Sequence, residues 1–466
     1  MASFGTSASS STGLSATYIN QLIQQTLTAQ RQPIYALTAK KDQLNIKKAV
    51  YSDLKSKLLA LSSIVDDLTS DDDNTVFDNE SASSSDRSVV TATATSEAIS
   101  GIYNISVDNL AQAHMARSDQ QTSSSDALSM SGTFTLNGVN IQVDAEDSLE
   151  DIVESINEAE YEEGSEVTAN IVDDYLVLEA GSTGISNQLS ASDQTGTVLA
   201  DLGVLNAGSI KTTLQAAEDA SFTVNGISVT RSSNTELDDV INGVTLNLLS
   251  ETEGTETAES VLTVSPDHTA IRAKVTAFVN NLNSTLSYLT SKTKVVGDQE
   301  EEKYSRGILA GETIFSRLKA DMVIAIGQET TLEPESPDDP IYLADIGITL
   351  GSNLNVSLDT AELNSALESN FDGVTRLFSG VMARFEDALE PFVSENSSSN
   401  TLDLYTESII TKVQNIDSRV ERMEKSLVNK EDMLIRQYSP LYMQNIEFEQ
   451  QQYNLLSIYS NFSITA

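Results

Sequence analysis

The side chains best able to do chemistry are sparse and scattered in this chain. His114 and His268 stand far apart, and neither has a nucleophile or a metal-ligand pattern around it. Each is read as an ordinary exposed or locally bonded side chain, because a histidine signals a site only in a supporting context. The stretch Gly203-Val-Leu-Asn-Ala-Gly208-Ser-Ile-Lys211 has the outline of a phosphate loop. Such a loop needs its lysine directly after the second glycine for the ammonium to reach the phosphates, and Lys211 comes too late. Asp71–Glu80 is acidic enough for a calcium loop but lacks the glycine at the sixth place and the glutamate at the twelfth. Cysteine is absent, which removes disulfides, thiolate metal sites and thiol nucleophiles together. Carboxylates abound, yet no spacing among them selects an acid–base pair. No catalysis, cofactor or metal is expected.

Bulk charge narrows the partners further. Asp and Glu number 69 against 27 Lys and Arg, a formal net charge of −42. That surface repels nucleic-acid phosphates and anionic membranes alike. Salty surroundings would screen its self-repulsion. The opening MASFGTSASSSTGLSAT has neither the basic nor the apolar region of a secretory leader. No window approaches the ~18 apolar residues of a membrane span. A soluble chain is expected, either cytoplasmic or exported by a route that needs no cleaved leader. Its 466 residues predict roughly three domains at ~150 residues each.

With no reaction to position, the informative elements are those that would position one chain against another. Leu37, Leu44, Tyr51, Leu58 and Val65 fall on one seven-residue frame near the N-terminus, with Leu54, Leu61 and Leu68 three residues on. Near the C-terminus Val413, Val420, Leu427, Leu434, Leu441, Phe448, Leu455 and Phe462 do the same. A helix that keeps such a repeat lays its stripe against another helix and supercoils with it. The second C-terminal seam holds Ile409, Ile416 and Met423, then turns polar at Lys430, Gln437, Gln444 and Gln451. That mixture suits a helix that packs fully only after assembly. Before the first seam, Ile19, Leu22, Ile23 and Leu27 make a shorter apolar face. Pro33 and Pro440 predict a kink or break in each end helix, leaving two short terminal arms.

The middle of the chain changes character. β-Branched or alternating runs at 88–95, 103–107, 133–143, 167–178, 222–230 and 244–249 predict strands. Asn137-Gly138 and Asn225-Gly226 predict hairpins. Phe134-Thr-Leu-Asn-Gly-Val-Asn-Ile141 matches Phe222-Thr-Val-Asn-Gly-Ile-Ser-Val229 type for type, which points to two related β-rich modules. Each block is followed by an acidic stretch read as helix, with Ser148 and Thr235 as N-caps. Helical patterns return from Pro266, clearest at Ile271, Val275, Phe278, Leu282, Leu286 and Leu289, then over 309–326 and 381–389. Loops are expected at Asp298–Glu302, Glu333–Pro340 and Ser394–Asn400. The class is α+β multidomain: terminal coiled-coil helices and a helical bundle domain, with β-rich head domains inserted between them.

The order of these pieces resembles the bacterial flagellar filament-capping family, also called hook-associated protein 2. The carrying blocks are Gly13-Leu-Ser with Ile19-Asn-Gln-Leu22-Ile, Arg31-Gln-Pro33-Ile, and Phe222 to Asn234 with Ile241-Asn-Gly-Val-Thr-Leu246. Gly307-Ile-Leu-Ala-Gly311, Leu343-Ala-Asp-Ile-Gly-Ile348, Leu377-Phe-Ser-Gly380 and the Lys430-Glu431…Gln437-Tyr438 helix add to it. The resemblance implies export through the flagellar type III channel and a homo-oligomeric ring, a pentamer, at the filament tip. It implies flagellin subunits as partners, retained and polymerised there, and an export chaperone in the cytoplasm. On this reading Leu22, Ile23 and Leu27 with Phe448, Leu455 and Phe462 form the legs that touch the filament. The expected divisions are 1–36, a disordered segment and leg helix paired with 440–466; 37–86, the first coiled-coil helix; and 266–439, the rest of the helical domain. Residues 87–125 with 206–265 make one head domain, and 126–205 a second, inserted one. Two alternatives stay open: a surface adhesin binding a host glycan or protein through the β modules, or another flagellar component such as a junction protein or a flagellin.

Overall fold

The computed structural model describes residues 16–69, 75–252, 259–298, 303–330, 336–394 and 400–462, and their side chains except Ala16, 296–305 and 459–462. The expected disordered start, the Asp71-Asp72-Asp73 run and much of the three expected loops lie outside the described residues. The chain divides into two compact units, one of 1–69 with 274–466 and one of 70–273.

The chain enters through α1, Ala16–Asp67. Tyr51, Leu54, Leu58, Leu61, Val65 and Leu68 are all buried, so the seven-residue pattern becomes a core-facing stripe. Toward the N-terminus the stripe thins, and Leu37 and Leu44 are half-buried. The helix runs through Pro33 unbroken, where a kink or break was expected. Proline removes one backbone donor, and the carbonyl it deprives, on Ala29, sits at an exposed position that water can serve. The helix, expected to end in the acidic run Asp71-Asp72-Asp73, ends at Asp67.

The β-rich unit begins with β1 (Glu80–Ser84), β2 (Val90–Ala94) and β3 (Gly101–Asn109). An excursion follows through β4 (Ala113–Arg117), β5 (Gly132–Leu136), β6 (Val139–Val143) and helix α2 (Leu149–Asn157). It continues through β7 (Val167–Val172), β8 (Tyr175–Thr183), β9 (Ala191–Thr195) and α3 (Val198–Asp201). Short strands β10 (Leu205–Asn206), β11 (Ser209–Ile210) and β12 (Thr212–Gln215) close it. The chain returns with β13 (Ala220–Val224), β14 (Ile227–Arg231), β15 (Leu237–Ile241), β16 (Val244–Leu248) and β17 (Ser260–Pro266).

Strands from before and after the excursion interleave, in the orders β1-β17-β3-β13-β14 and β15-β16-β2. Ile105, Phe222, Leu246 and Leu262 are among the side chains of their shared core. The excursion builds its own sheets, β12-β4-β8-β7 and β6-β5-β9, around Phe134, Leu178 and Ile152 of α2. Both expected hairpins form, β5–β6 and β13–β14. Asn137 and Gly138 have φ of 44° and 88°, and Asn225 and Gly226 of 50° and 78°. Those positive angles are what the two-residue hairpin turn demands and what Asn-Gly tolerates.

The two related blocks diverge after their hairpins. Ser148 caps α2 as expected: its hydroxyl accepts from the Asp151 N–H, and the Asp151 carboxylate accepts from the Ser148 N–H at 2.8 Å. Thr235–Ile241, expected as the second helix, instead contains strand β15, paired with β16. There Leu237 and Ile241 reach the core across the Asn242-Gly243 turn, and side-chain burial outweighs the helix preference of the acidic residues.

The helical unit resumes with α4 (His268–Thr293), the hairpin β18 (Val295–Asp298) and β19 (Lys303–Arg306), and α5 (Thr313–Gly327). A second hairpin, β20 (Ile348–Leu350) and β21 (Val356–Leu358), leads to α6 (Thr360–Ser369), α7 (Phe371–Val393) and α8 (Thr401–Phe462). Phe278 of α4 meets Phe385 of α7 edge-on at 5.2 Å, and both are buried. Arg376 of α7 donates to the buried Asp339 carboxylate at 2.7 Å. Helix α8 also runs unbroken through its proline, Pro440, against expectation. The carbonyl that Pro440 deprives, on Arg436, is again at an exposed position.

Candidate assembly surfaces

The isolated reactive residues hold the fold together locally. His114, on β4, is buried; its Nδ1 accepts from the Leu189 N–H at 3.1 Å and its Nε2 faces the Thr213 hydroxyl at 3.4 Å. An accepting Nδ1 puts the proton of the neutral ring on Nε2. Burial holds this imidazole below its ordinary pKa. His268 opens α4. Ala207 and Gly208 make the tight turn between β10 and β11 with φ of 52° and 80°, and Lys211 pairs with Asp119 at 2.5 Å. Gly208 thus serves a hairpin, and Gly203 follows the end of α3 with a φ of 77°. In the calcium-like stretch, Asp78 accepts from the Thr75 N–H at 2.9 Å and Glu80 starts β1. Among the described residues no three His, Asp or Glu side chains gather as metal ligands. Among them, too, no helix is long and apolar enough to cross a membrane.

The two end helices pair, and ion pairs fix their direction. Lys41 meets Asp417 at 2.5 Å and Lys55 meets Asp403 at 2.7 Å, so numbers rise along α1 as they fall along α8. Exposed pairs of this kind are worth only ~0.2–1 kcal/mol, so their value here is register more than strength. A stronger node sits at Tyr51. Its hydroxyl donates to Glu312 at 2.7 Å, Lys47 pairs with the same carboxylate, and its ring lies 5.7 Å from Phe315 and 5.8 Å from Tyr405. Burial first, and the Glu312 carboxylate second, push this phenol above its ordinary pKa. The apolar frame named Tyr51 as a seam residue; its tie to Glu312 links segments far apart in the chain and has no local signal.

The expected leg residues separate into two groups. Ile23 and Leu27 are buried and Leu22 is half-buried. Ile23 and Leu27, with Ile19, pack on Leu434, flanked by Leu427, Ile435, Tyr438 and Tyr442. Their counterpart is therefore the 427–442 stretch of α8, which corrects the expected pairing with 440–466. The register explains why: carried along from the two ion pairs, it sets Ala16 opposite Tyr442, and the rest of α8 runs past the described start of α1. Val413, Val420 and Leu427 are half-buried and Leu434 is buried. Beyond them the same frame is open, with Leu441 at 44%, Phe448 at 58% and Leu455 at 60% exposure. Tyr453, Leu456 and Ile458 are exposed beside them. The side chain of Phe462 lies outside the described residues. Beyond Tyr442 no helix among the described residues faces α8, and this arm, to Phe462, extends about 30 Å at the ~1.5 Å rise of an α-helix.

Long antiparallel end helices, a helical body and an inserted β-rich unit, with an apolar arm left open among the described residues, define a multidomain assembly protein of the α+β class. Residues 15–114 match the family model for the flagellar hook-associated protein 2 N-terminus, and 217–446 match that for its C-terminus. Residues 131–186 match the flagellin hook IN motif. The A-type flagellar hook-associated protein 2 of Pseudomonas aeruginosa is 26% identical over 418 residues, 83% of this chain and 84% of that one. The flagellar hook-associated protein 2 of Escherichia coli K12 is 26% identical over 380 residues, 78% of each. A crystal structure of the D1–D2–D3 domains of the Escherichia coli flagellar cap protein FliD shares the fold. It is 24% identical, with a TM-score of 0.55 over 78% of this chain and 99% of that one. The chain belongs to the flagellar hook-associated protein 2 family. It is a structural component of the bacterial flagellum, acting as the filament cap, and these matches favour that role over an adhesin or a flagellin.

Proposed function

We propose that the chain caps the growing filament as a homo-oligomeric ring of five copies, and that its C-terminal arm is the part that touches flagellin. The arm carries this reading. Phe448 and Leu455 continue the apolar frame that Leu434 buries, yet have no covering helix among the described residues. An apolar stripe in that condition is a surface awaiting a partner. Ile23 and Leu27 anchor α8 just before the arm, and in this scheme Leu22 beside them belongs to the same leg. A cap that must release and re-engage as each subunit is added needs contacts that order on docking, since the entropy lost then keeps them reversible. The same exposed arm gives an export chaperone in the cytoplasm something to cover. In this scheme 87–125 with 206–265, and 126–205, are two head domains.

Deleting the gene and imaging the cells by electron microscopy, while measuring flagellin in the medium, tests the proposal. Bare hooks or stubs with soluble flagellin released are expected, restored by the intact chain. Filaments of normal length in the deletion strain would refute it.

A further inference from the structure

Three Asn-Gly pairs occur in the chain, Asn137-Gly138, Asn225-Gly226 and Asn242-Gly243, and each makes the turn of a β-hairpin. This dipeptide carries a slow chemistry of its own. The backbone nitrogen of the glycine, once it yields its proton to hydroxide, can attack the asparagine Cγ. The new N–Cγ bond closes a cyclic imide, the Cγ–Nδ2 bond breaks, and ammonia leaves with a proton from water. Water then opens the ring at one carbonyl or the other, giving aspartate or isoaspartate. Glycine permits the attack because no Cβ hinders its nitrogen or its backbone rotation. The residues that follow are Val139, Ile227 and Val244, so local sequence gives the pairs much the same intrinsic rate.

The fold separates them. Asn137 is clamped at both ends of its amide: Oδ1 accepts from the Ser190 N–H at 2.8 Å, and Nδ2 donates to the Ser165 carbonyl at 3.0 Å. Asn242 donates through Nδ2 to the Glu97 carbonyl at 3.3 Å, and its glycine is held as well. Gly243 lies against the Ala98 backbone, and its carbonyl accepts from the Thr95 N–H at 2.8 Å. The remaining pair has neither restraint. Asn225 is exposed, its Nδ2 has no partner among the described residues, and Gly226 stands in open space. The Asn225 N–H donates to the Asn104 carbonyl at 2.8 Å, which holds the asparagine and leaves the glycine free. The one bond to its side chain favours reaction. The Asn104 N–H donates at 2.9 Å to Oδ1, the oxygen that turns negative as the glycine nitrogen attacks. Strand β14, next in the chain, is an edge strand paired only with β13, so this turn can open locally.

We infer that Asn225 is a modification site, which deamidates in the folded chain while Asn137 and Asn242 are preserved. Either product adds a negative charge at the hairpin tip. Isoaspartate also routes the main chain through the side chain, which lengthens a turn that has room for two residues only. The tip of β13–β14 then frays, and β3 and β17 stay paired behind it.

Incubating the full folded chain at mildly alkaline pH and mapping its peptides by mass spectrometry tests this. Electron-transfer fragmentation tells isoaspartate from aspartate. Asn225 is expected to convert about tenfold or more faster than Asn137 and Asn242, each of which must first break a side-chain hydrogen bond. Unfolded in urea, the same chain is expected to convert all three within about threefold of one another. Conversion of Asn137 or Asn242 as fast as Asn225 in the folded chain overturns the inference, as does an Asn225 left intact there. A preference for Asn225 that persists undiminished in urea places its cause in the sequence and overturns the structural argument too.

Discussion

Truncating Leu27 to alanine should loosen the start of α1 without unfolding the body it belongs to. Leu27 is 1% exposed, in a small cluster with Ile19, Ile23 and Leu434. Removing a buried leucine costs ~2–5 kcal/mol, and the low end applies where neighbours at a helix pair's edge can close over the gap, so about 2 kcal/mol. This loss falls on a local opening, because the packed stripe from Tyr51 to Leu68 lies well along the same helix. About 2 kcal/mol raises the open population roughly 30-fold. Hydrogen exchange of the amides over Ile19–Leu27 should accelerate by that factor, while the melting temperature moves by less than about 2 °C. Leu58→Ala is the control: Leu58 is 0% exposed in the body, and its loss should lower the melting temperature by roughly 6–10 °C. Equal melting shifts for the two variants, or unchanged exchange over Ile19–Leu27, would refute this division between body and leg.

Three further outcomes follow from single residues. Burial depresses the His114 pKa, so the folded state resists a proton that the unfolded chain binds; stability is full above the ordinary value of 6.5 and declines as pH falls toward the folded pKa. Urea unfolding at successive pH values should show a shallower acid decline for His114→Asn than for the parent, and equal slopes would contradict the assignment. Asp339→Ala removes the carboxylate that accepts from Arg376 at 2.7 Å and from the Asn370 amide at 2.9 Å, and should cost about 3 kcal/mol in the same assay. Ser148→Ala removes the α2 cap and should cost about 1 kcal/mol, read as faster amide exchange in the first turn of α2.

Periodicity made the helices legible, and local turn chemistry made the hairpins legible. Asn137-Gly138 and Asn225-Gly226 name their own turn, because few other pairs accept two positive φ values in succession. Thr235–Ile241 was misread because its acidic residues favour a helix, whereas the decision lay with β16, the partner strand that buries Leu237 and Ile241. The prolines misled for a related reason: a lost hydrogen bond breaks a helix only where nothing else serves the carbonyl, and both lie on exposed faces. The pairing of the legs needed a register that neither helix states alone. Lys41 and Lys55 share a spacing with Asp403 and Asp417, a match that becomes meaningful only once the helices are known to run antiparallel. The exposed arm was hidden for the same reason: 440–466 was expected to pair with 1–36, and only the register leaves Phe448 and Leu455 open among the described residues.

The most direct test of the whole account is filament growth in cells whose only copy of this chain ends at Tyr442. Secreted, folded protein that keeps the rest of its helices but leaves bare hooks and flagellin in the medium is the expected result, because the arm with Phe448 and Leu455 is gone while the α1–α8 pairing remains. Filaments of normal length from that truncated chain would contradict the claim that the arm makes the contact with flagellin.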